Sequence, residues 1–209
     1  MNGKQEMGTI IFVNNRMCVE CISFCTKMCH NVRKRTGKKE IDNMNKIYDK
    51  VKECYKQVNE MTEFKPQIAL VLGSGLGDYA EKIKIETVID YHEIKGFPVS
   101  TVQGHKGRFV LGYVEDIPVM IMEGRVHYYE GYSMSDVVLP IRLMKMMGAE
   151  ILFLTNASGG IHRGFEAGDF MMITDQIASF VPSPLMGPNI EEFGERFPDM
   201  SHIYDEELQ

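Results

Sequence analysis

The period of the apolar positions changes several times along this chain, and each change predicts a different element. From Asp42, residues Ile47, Val51, Cys54, Tyr55 and Val58 recur at three- and four-residue spacing with Lys and Glu between them. That spacing puts one apolar stripe on a helix, which Phe64 and Pro66 then close. QIALVLGSG follows, apolar on both faces and running into a glycine turn, which is the pattern of a central strand covered on two sides. Further strands are predicted at 87–91, 108–113, 118–123, 151–156 and 169–174. In SMSDVVLPIRLMKMMG, residues Val137, Val138, Ile141, Leu143, Met144 and Met147 predict one helix ending at Gly148, its Met144, Met146 and Met147 serving as core filler. Strands mixed with helices give an α/β class, with a mixed central β-sheet flanked by helices. Beyond Ser179 the pattern is broken by Pro182, Pro184, Gly187 and Pro188, and the stretch after Met200 reads as the start of another helix with no stop signal.

Composition bounds this picture. The 209 residues are 44% hydrophobic and 25% charged, enough for one main soluble domain. Charge divides the chain: residues 1–40 carry eight Lys and Arg against three Asp and Glu, a net of +5, and the remainder carries −11. Residues 1–43 therefore read as a basic, Cys-rich extension, disordered or misassigned, ahead of a domain at 44–209. An acidic body excludes general nucleic-acid binding, which needs a basic face to displace phosphate counterions. No stretch reaches the roughly 18 to 20 apolar residues of a membrane helix, and Arg16, Glu20 and Lys27 break the N-terminal apolar patches. The expectation is a cytoplasmic protein with no membrane partner and no signal peptide.

Cys18, Cys21, Cys25 and Cys29 crowd into twelve residues, followed by His30, while Cys54 stands alone in the predicted helix. The cluster has ligand types for zinc or an iron–sulfur centre, but its compressed spacing matches neither pattern, and a secreted disulfide framework would spread its cysteines through the body. Reduced thiols without metal are the favoured reading, and no cofactor is expected.

Four segments carry the chemistry: VLGSGLG at 71–77, VQGHKGR at 102–108, EGRVHYYEGY at 123–132 and LTNASGGI at 154–161. In the first, glycines allow consecutive N–H groups to face an anion and Ser74 adds a hydroxyl, although a plain tight turn explains the same residues. It is neither a Walker A loop nor a dinucleotide fingerprint. Arg125 and His127 alternate as on one strand face, so that a guanidinium fork and an imidazole can reach one phosphate; Glu130 can orient His127 or take a proton from the phosphate. His105 lies in a glycine-flanked loop that can close over a ligand or simply be exposed. Asn156, Ala157 and Ser158 end a strand before two glycines that allow close backbone approach or simply form a plain αL turn, and of Tyr128 and Tyr129 one is expected as a sugar-facing wall and one as core.

In this order the motifs resemble the trimeric type of purine nucleoside phosphorylase. The resemblance runs from MNKIYDKV at Met44 through GSGLG, GFPVSTVQGHKGR, GRVHYYEGY, TNASGGI and GPN to ERFPDMSHIYD, about four fifths of the chain. It implies a phosphorylase-like fold, incomplete at the C-terminus, and phosphorolysis of inosine or guanosine to the free base and ribose 1-phosphate in purine salvage; the alternative is a catalytically impaired remnant that binds phosphate or assembles with a complete subunit. Purine nucleoside and orthophosphate are the implied partners, with a homotrimer if the chain is complete. The implied roles are phosphate contacts at Ser74, Arg125, His127 and the backbone of Ala157; support of phosphate and His127 by Glu130; ribose stacking on Tyr129; a place beside sugar and phosphate for Asn156; and a loop histidine at His105. Family members continue past position 209, and the continuation carries the residues that hold the purine.

Overall fold

The computed structural model describes residues 7–13, 37–102, 106–178 and 181–209. Three α-helices and one sheet organise them. Helix α1 (Gly37–Met61) contains the predicted amphipathic stripe, begins ahead of Asp42 and crosses the expected boundary at 43. Its Val51, Cys54 and Val58 are fully buried. The strands are β1 (Met7–Val13), β2 (Ile68–Leu72), β3 (Lys84–Asp90), β4 (Arg108–Val114), β5 (Ile117–Glu123), β6 (Ile151–Ser158) and β7 (Phe170–Met172). They form one mixed sheet in the order β3-β4-β5-β2-β6-β1-β7. β5, β2 and β6 run parallel to one another, β4 is antiparallel to both β3 and β5, and β1 is antiparallel to β6.

Alternation along the central strands sorts the core into two faces. Ala69, Val71, Phe109, Leu111, Met120, Met122 and Leu152 pack with residues of α1 and with Leu139, Leu143, Met144 and Met147. The intervening Leu72, Val110, Val119 and Ile121 pack on the other face with Ala80, from the 3-10 turn at Gly77–Glu81. β1 comes from the segment that composition sets apart, and it pairs with β6 from Met7 opposite Ser158 to Val13 opposite Leu152.

Two predicted elements are corrected. The single helix expected before Gly148 is two, α2 (Met134–Val137) and α3 (Leu139–Met146), with Val138 between them. Pro140 has no N–H to donate and is accommodated in the first turn of α3, which is why the helix restarts there. The helix expected after Met200 is only a 3-10 turn at Glu206–Leu208. Among the described residues no helix is long and apolar enough to cross a membrane.

Candidate functional site

The parallel strands β2, β5 and β6 end on the same side of the sheet, and ligands of α/β proteins collect at such carboxyl ends. Beyond β2 the chain turns at once. Leu76 N–H donates to Gly73 O at 3.2 Å, and Gly75 sits at φ +85°, a left-handed conformation that a side chain would oppose. Ser74 rides exposed in this turn. Gly73 is needed for a different reason: a Cβ there would lie 2.6 Å from Asn156 Cα and 2.8 Å from Thr155 O, so only glycine lets the turn press against the end of β6.

Thr155 joins the segments. Its hydroxyl accepts from Gly73 N–H at 2.8 Å and donates to Val71 O at 3.0 Å, while its carbonyl accepts from Arg125 Nη1 at 2.6 Å. One nearly buried residue thus ties the glycine turn, the guanidinium and β6 together. Burial pulls the Arg125 guanidinium below its ordinary value, partly opposed by Tyr129. The next residue, Asn156, has a buried Oδ1 with no hydrogen-bond partner among the described residues. A buried acceptor in that condition is costly unless a donor reaches it. Ala157 and Ser158 complete β6 beside it.

Arg125 and His127 are not on a strand as predicted. β5 stops at Glu123, because Gly124 takes φ +99° and turns the chain out of the sheet. His127 is nevertheless fixed. Glu130, from the 3-10 turn at Tyr128–Glu130, accepts from His127 N–H and from Nδ1, both at 2.8 Å through Oε1. An ionised carboxylate only accepts, so the proton is on Nδ1, and Nε2 is the nitrogen that can exchange a proton. Glu130 also accepts from Thr101 N–H at 2.6 Å and from the Thr101 hydroxyl at 2.9 Å. Burial would raise this carboxyl, but the hydrogen bonds from Thr101 and His127 outweigh it and hold the group at about 2. Of the two roles expected for Glu130, orienting His127 is the one its hydrogen bonds display.

The tyrosine expectation is also corrected. Tyr128 and Tyr129 are both exposed, at 52% and 73%, and neither is core. Tyr129 stacks on His127, with ring centroids 4.7 Å apart and planes 18° from parallel. His105, Cys18, Cys21, Cys25, Cys29 and His30 lie outside the described residues. Among the described residues no group of three His, Cys, Asp or Glu is placed to hold a metal.

Sequence reasoning missed Thr155, Thr101 and Glu123. Glu123 ends β5 with only 3% exposure, its carboxylate 2.7 Å from Arg108 Nε and 2.9 Å from Lys106 Nζ. The one available signal was the motif itself, in which a charged residue closes an apolar strand immediately before Gly124 and Arg125.

Comparison with known proteins places this arrangement. Residues 67–209 match the family model of the phosphorylase superfamily. Purine nucleoside phosphorylase 1 of Bacillus subtilis (strain 168) is 48% identical over 160 residues, covering 77% of this chain and 59% of the relative. The mouse purine nucleoside phosphorylase is 45% identical over 165 residues, covering 78% and 57%. Among solved structures, isoform 2 of purine nucleoside phosphorylase from Schistosoma mansoni, in complex with cytosine and ribose-1-phosphate, superposes with a TM-score of 0.68 at 40% identity, covering 77% of this chain and 57% of that one. The chain thus spans under three fifths of the length of these relatives. With the model matched over 143 of its residues and the fold shared with solved relatives, the chain belongs to the phosphorylase superfamily.

Proposed function

We propose that this chain carries the phosphate- and ribose-facing part of a purine nucleoside phosphorylase, whose reaction converts inosine or guanosine and orthophosphate into the free base and ribose 1-phosphate. The observation that carries the reading is the convergence on Thr155, which puts the glycine turn, Arg125 and Asn156 at one end of three parallel strands. Relatives of the same fold have been solved with ribose-1-phosphate, hypoxanthine and adenosine, which supports a nucleoside as the second ligand.

In this reading the turn amides, the Ser74 hydroxyl, Arg125, His127 and the Ala157 backbone hold the dianion. Its oxygen attacks C1' as the bond from C1' to N9 breaks, and the base leaves with the electron pair and is protonated. The sugar is oxocarbenium-like between those events, so a phosphate fixed beneath it both stabilises positive charge and supplies the nucleophile. Glu130 holds His127 in the Nδ1–H form, leaving Nε2 to share a proton with phosphate. The exposed ring of Tyr129 offers a face to the ribose, and Asn156 Oδ1 accepts from a sugar hydroxyl. We further propose that His105 approaches the nucleoside, that the complete protein is a cytoplasmic homotrimer in purine salvage, and that no cofactor takes part.

The test is phosphate-dependent release of hypoxanthine from inosine, with inorganic phosphate binding measured in parallel. Arg125→Ala removes charge-assisted hydrogen bonds and should weaken phosphate binding on the order of 30-fold or more. Unchanged phosphate binding in that variant would sink the assignment of the site. Phosphate binding without release would show a chain that retains the anion site but not turnover.

A further inference from the structure

Glu123 is unusual among the carboxylates near the site because it is buried and paired with cations. Its backbone partners place it in register with Leu72, the last residue before the glycine turn, and with Arg108, the first residue of β4. By strand alternation all three project to the face covered by the 3-10 turn at Gly77–Glu81. There the carboxylate meets Arg108 Nε at 2.7 Å through Oε2 and Lys106 Nζ at 2.9 Å through Oε1. Lys106 continues to Glu81 of the 3-10 turn at 2.6 Å, and Arg108 Nη2 lies 3.8 Å from the same Glu81 oxygen. The four side chains carry two charges of each sign and tie together the segment after the glycine turn, the chain entering β4 and the end of β5.

Two further contacts make Glu123 the centre of this group. Gly107 N–H donates to its carbonyl at 3.0 Å. A Cβ at Gly77 would lie 3.2 Å from Oε1, so the segment leaving the glycine turn rests directly on the carboxylate. Oε1 has a close ammonium but no aligned hydrogen-bond donor, which leaves it dependent on charge pairing. Two residues later the chain places Arg125, whose guanidinium is anchored on β6. The same residue therefore fixes the glycine turn on one side and begins the Arg125 segment on the other.

We propose that Glu123 is a positioning residue for the phosphate site, setting the separation between the glycine turn and Arg125 through its ion pairs with Lys106 and Arg108 and its contact with Gly77. Its carboxylate touches neither phosphate nor nucleoside. The proposal rests on the phosphate reading above and assigns that site a determinant of affinity for its anion. Glu123→Gln keeps the size of the side chain, removes its charge and leaves two cations facing an amide, so the 3-10 turn is no longer held at a fixed distance.

The test compares the full chain with its Glu123→Gln, Arg125→Ala and Gly77→Ala variants, using inorganic phosphate and inosine as separate binding probes and thermal unfolding as the control. In Glu123→Gln, phosphate affinity should fall on the order of tenfold while inosine affinity stays within about twofold, the selective loss expected of a displaced phosphate cradle. Unchanged or tighter phosphate binding would show that the cluster is only an electrostatic neighbour, and proportional loss of both ligands would reduce it to general stability. Either result overturns the proposal. Should Glu123→Gln fail to fold, Gly77→Ala keeps every charge and pushes the turn away from Oε1; a severalfold loss of phosphate affinity supports positioning, and none refutes it. If Arg125→Ala leaves phosphate binding intact, the phosphate reading has failed; if Arg125→Ala weakens it and Glu123→Gln does not, only the role of Glu123 has.

Discussion

Glu123 and Glu130 lie seven positions apart, both with buried side chains, and they are stabilised in different ways. Glu123 is neutralised by Lys106 and Arg108, whereas Glu130 is held by hydrogen bonds from Ser100, Thr101 and His127. Ion pairing suits a group that must hold two segments together, because charge attracts over several ångströms and tolerates small misalignment. Hydrogen bonding from fixed amides suits a group that must hold one imidazole in one tautomer, because each bond is directional. The two carboxylates thus do different work: one pairs Lys106 and Arg108 across segments, and the other fixes the ring of His127.

The comparison is broken most forcefully at Glu130. Its carboxyl is held at about 2 against an ordinary value of 4.5, and the side chain is 2% exposed. A depressed folded-state value means that the stabilisation is fully present above about pH 4.5 and is lost as pH falls toward 2. A shift of that size corresponds to about 3 kcal/mol of folding free energy near neutrality. Glu130→Gln should remove most of this and flatten the difference in stability between pH 6 and pH 2.5, as read by chemical denaturation of parent and variant across that range. Parallel pH profiles for the two proteins would show that the hydrogen bonds around Glu130 do not favour its ionised form.

A smaller effect, and a sharper one for the site, is expected at Gly73. An alanine Cβ there meets the main chain of Thr155 and Asn156, which cannot rotate away, whereas one at Gly77 meets only the end of the Glu123 side chain. Overpacking against backbone costs about 1 to 3 kcal/mol, so Gly73→Ala should lower the unfolding midpoint and weaken phosphate binding together. Gly77→Ala should weaken phosphate binding with much less change in the midpoint. Equal thermal effects in the two variants would mean that the turn does not rest on β6 more firmly than on Glu123.

These distinctions bear on what a sequence can reveal. The apolar runs at 68–72, 108–114 and 117–123 were legible as strands because alternation and β-branched content act locally, and Val51, Cys54 and Val58 marked the helix face for the same reason. The order of the sheet was not legible, since the pairing of β2 with β5 joins residues 51 positions apart and its pairing with β6 residues 83 apart. Arg125, His127, Asn156 and Glu130 were singled out because their residue types suit phosphate and sugar chemistry. Thr155 and Glu123 were missed because their importance comes from contacts with distant segments: the threonine reads as an ordinary strand former, and the glutamate as a strand terminator. Likewise, Val138 and Pro140 satisfy the apolar helical period of 133–148, and only the backbone shows that the helix restarts between them.

The smallest expected effect lies at the outer arm of the Glu123 cluster. Glu81 is 57% exposed at its side chain and shares Lys106 with Glu123, so water and salt screen its half of the pairing while the inner half remains shielded. Its carboxyl lies below the ordinary value, first through the hydrogen bond from Lys106, but exposure limits what that contact contributes to folding. Glu81→Gln should therefore change phosphate affinity by less than about twofold, and raising the salt concentration should erase even that difference. Glu123→Gln should keep its deficit at high salt, because the lost charge sits where ions do not reach. Titrations of both variants at low and high salt measure the contrast directly: a deficit in Glu81→Gln as large and as salt-resistant as that of Glu123→Gln would move the anchor of the glycine turn from the end of β5 to the exposed 3-10 turn.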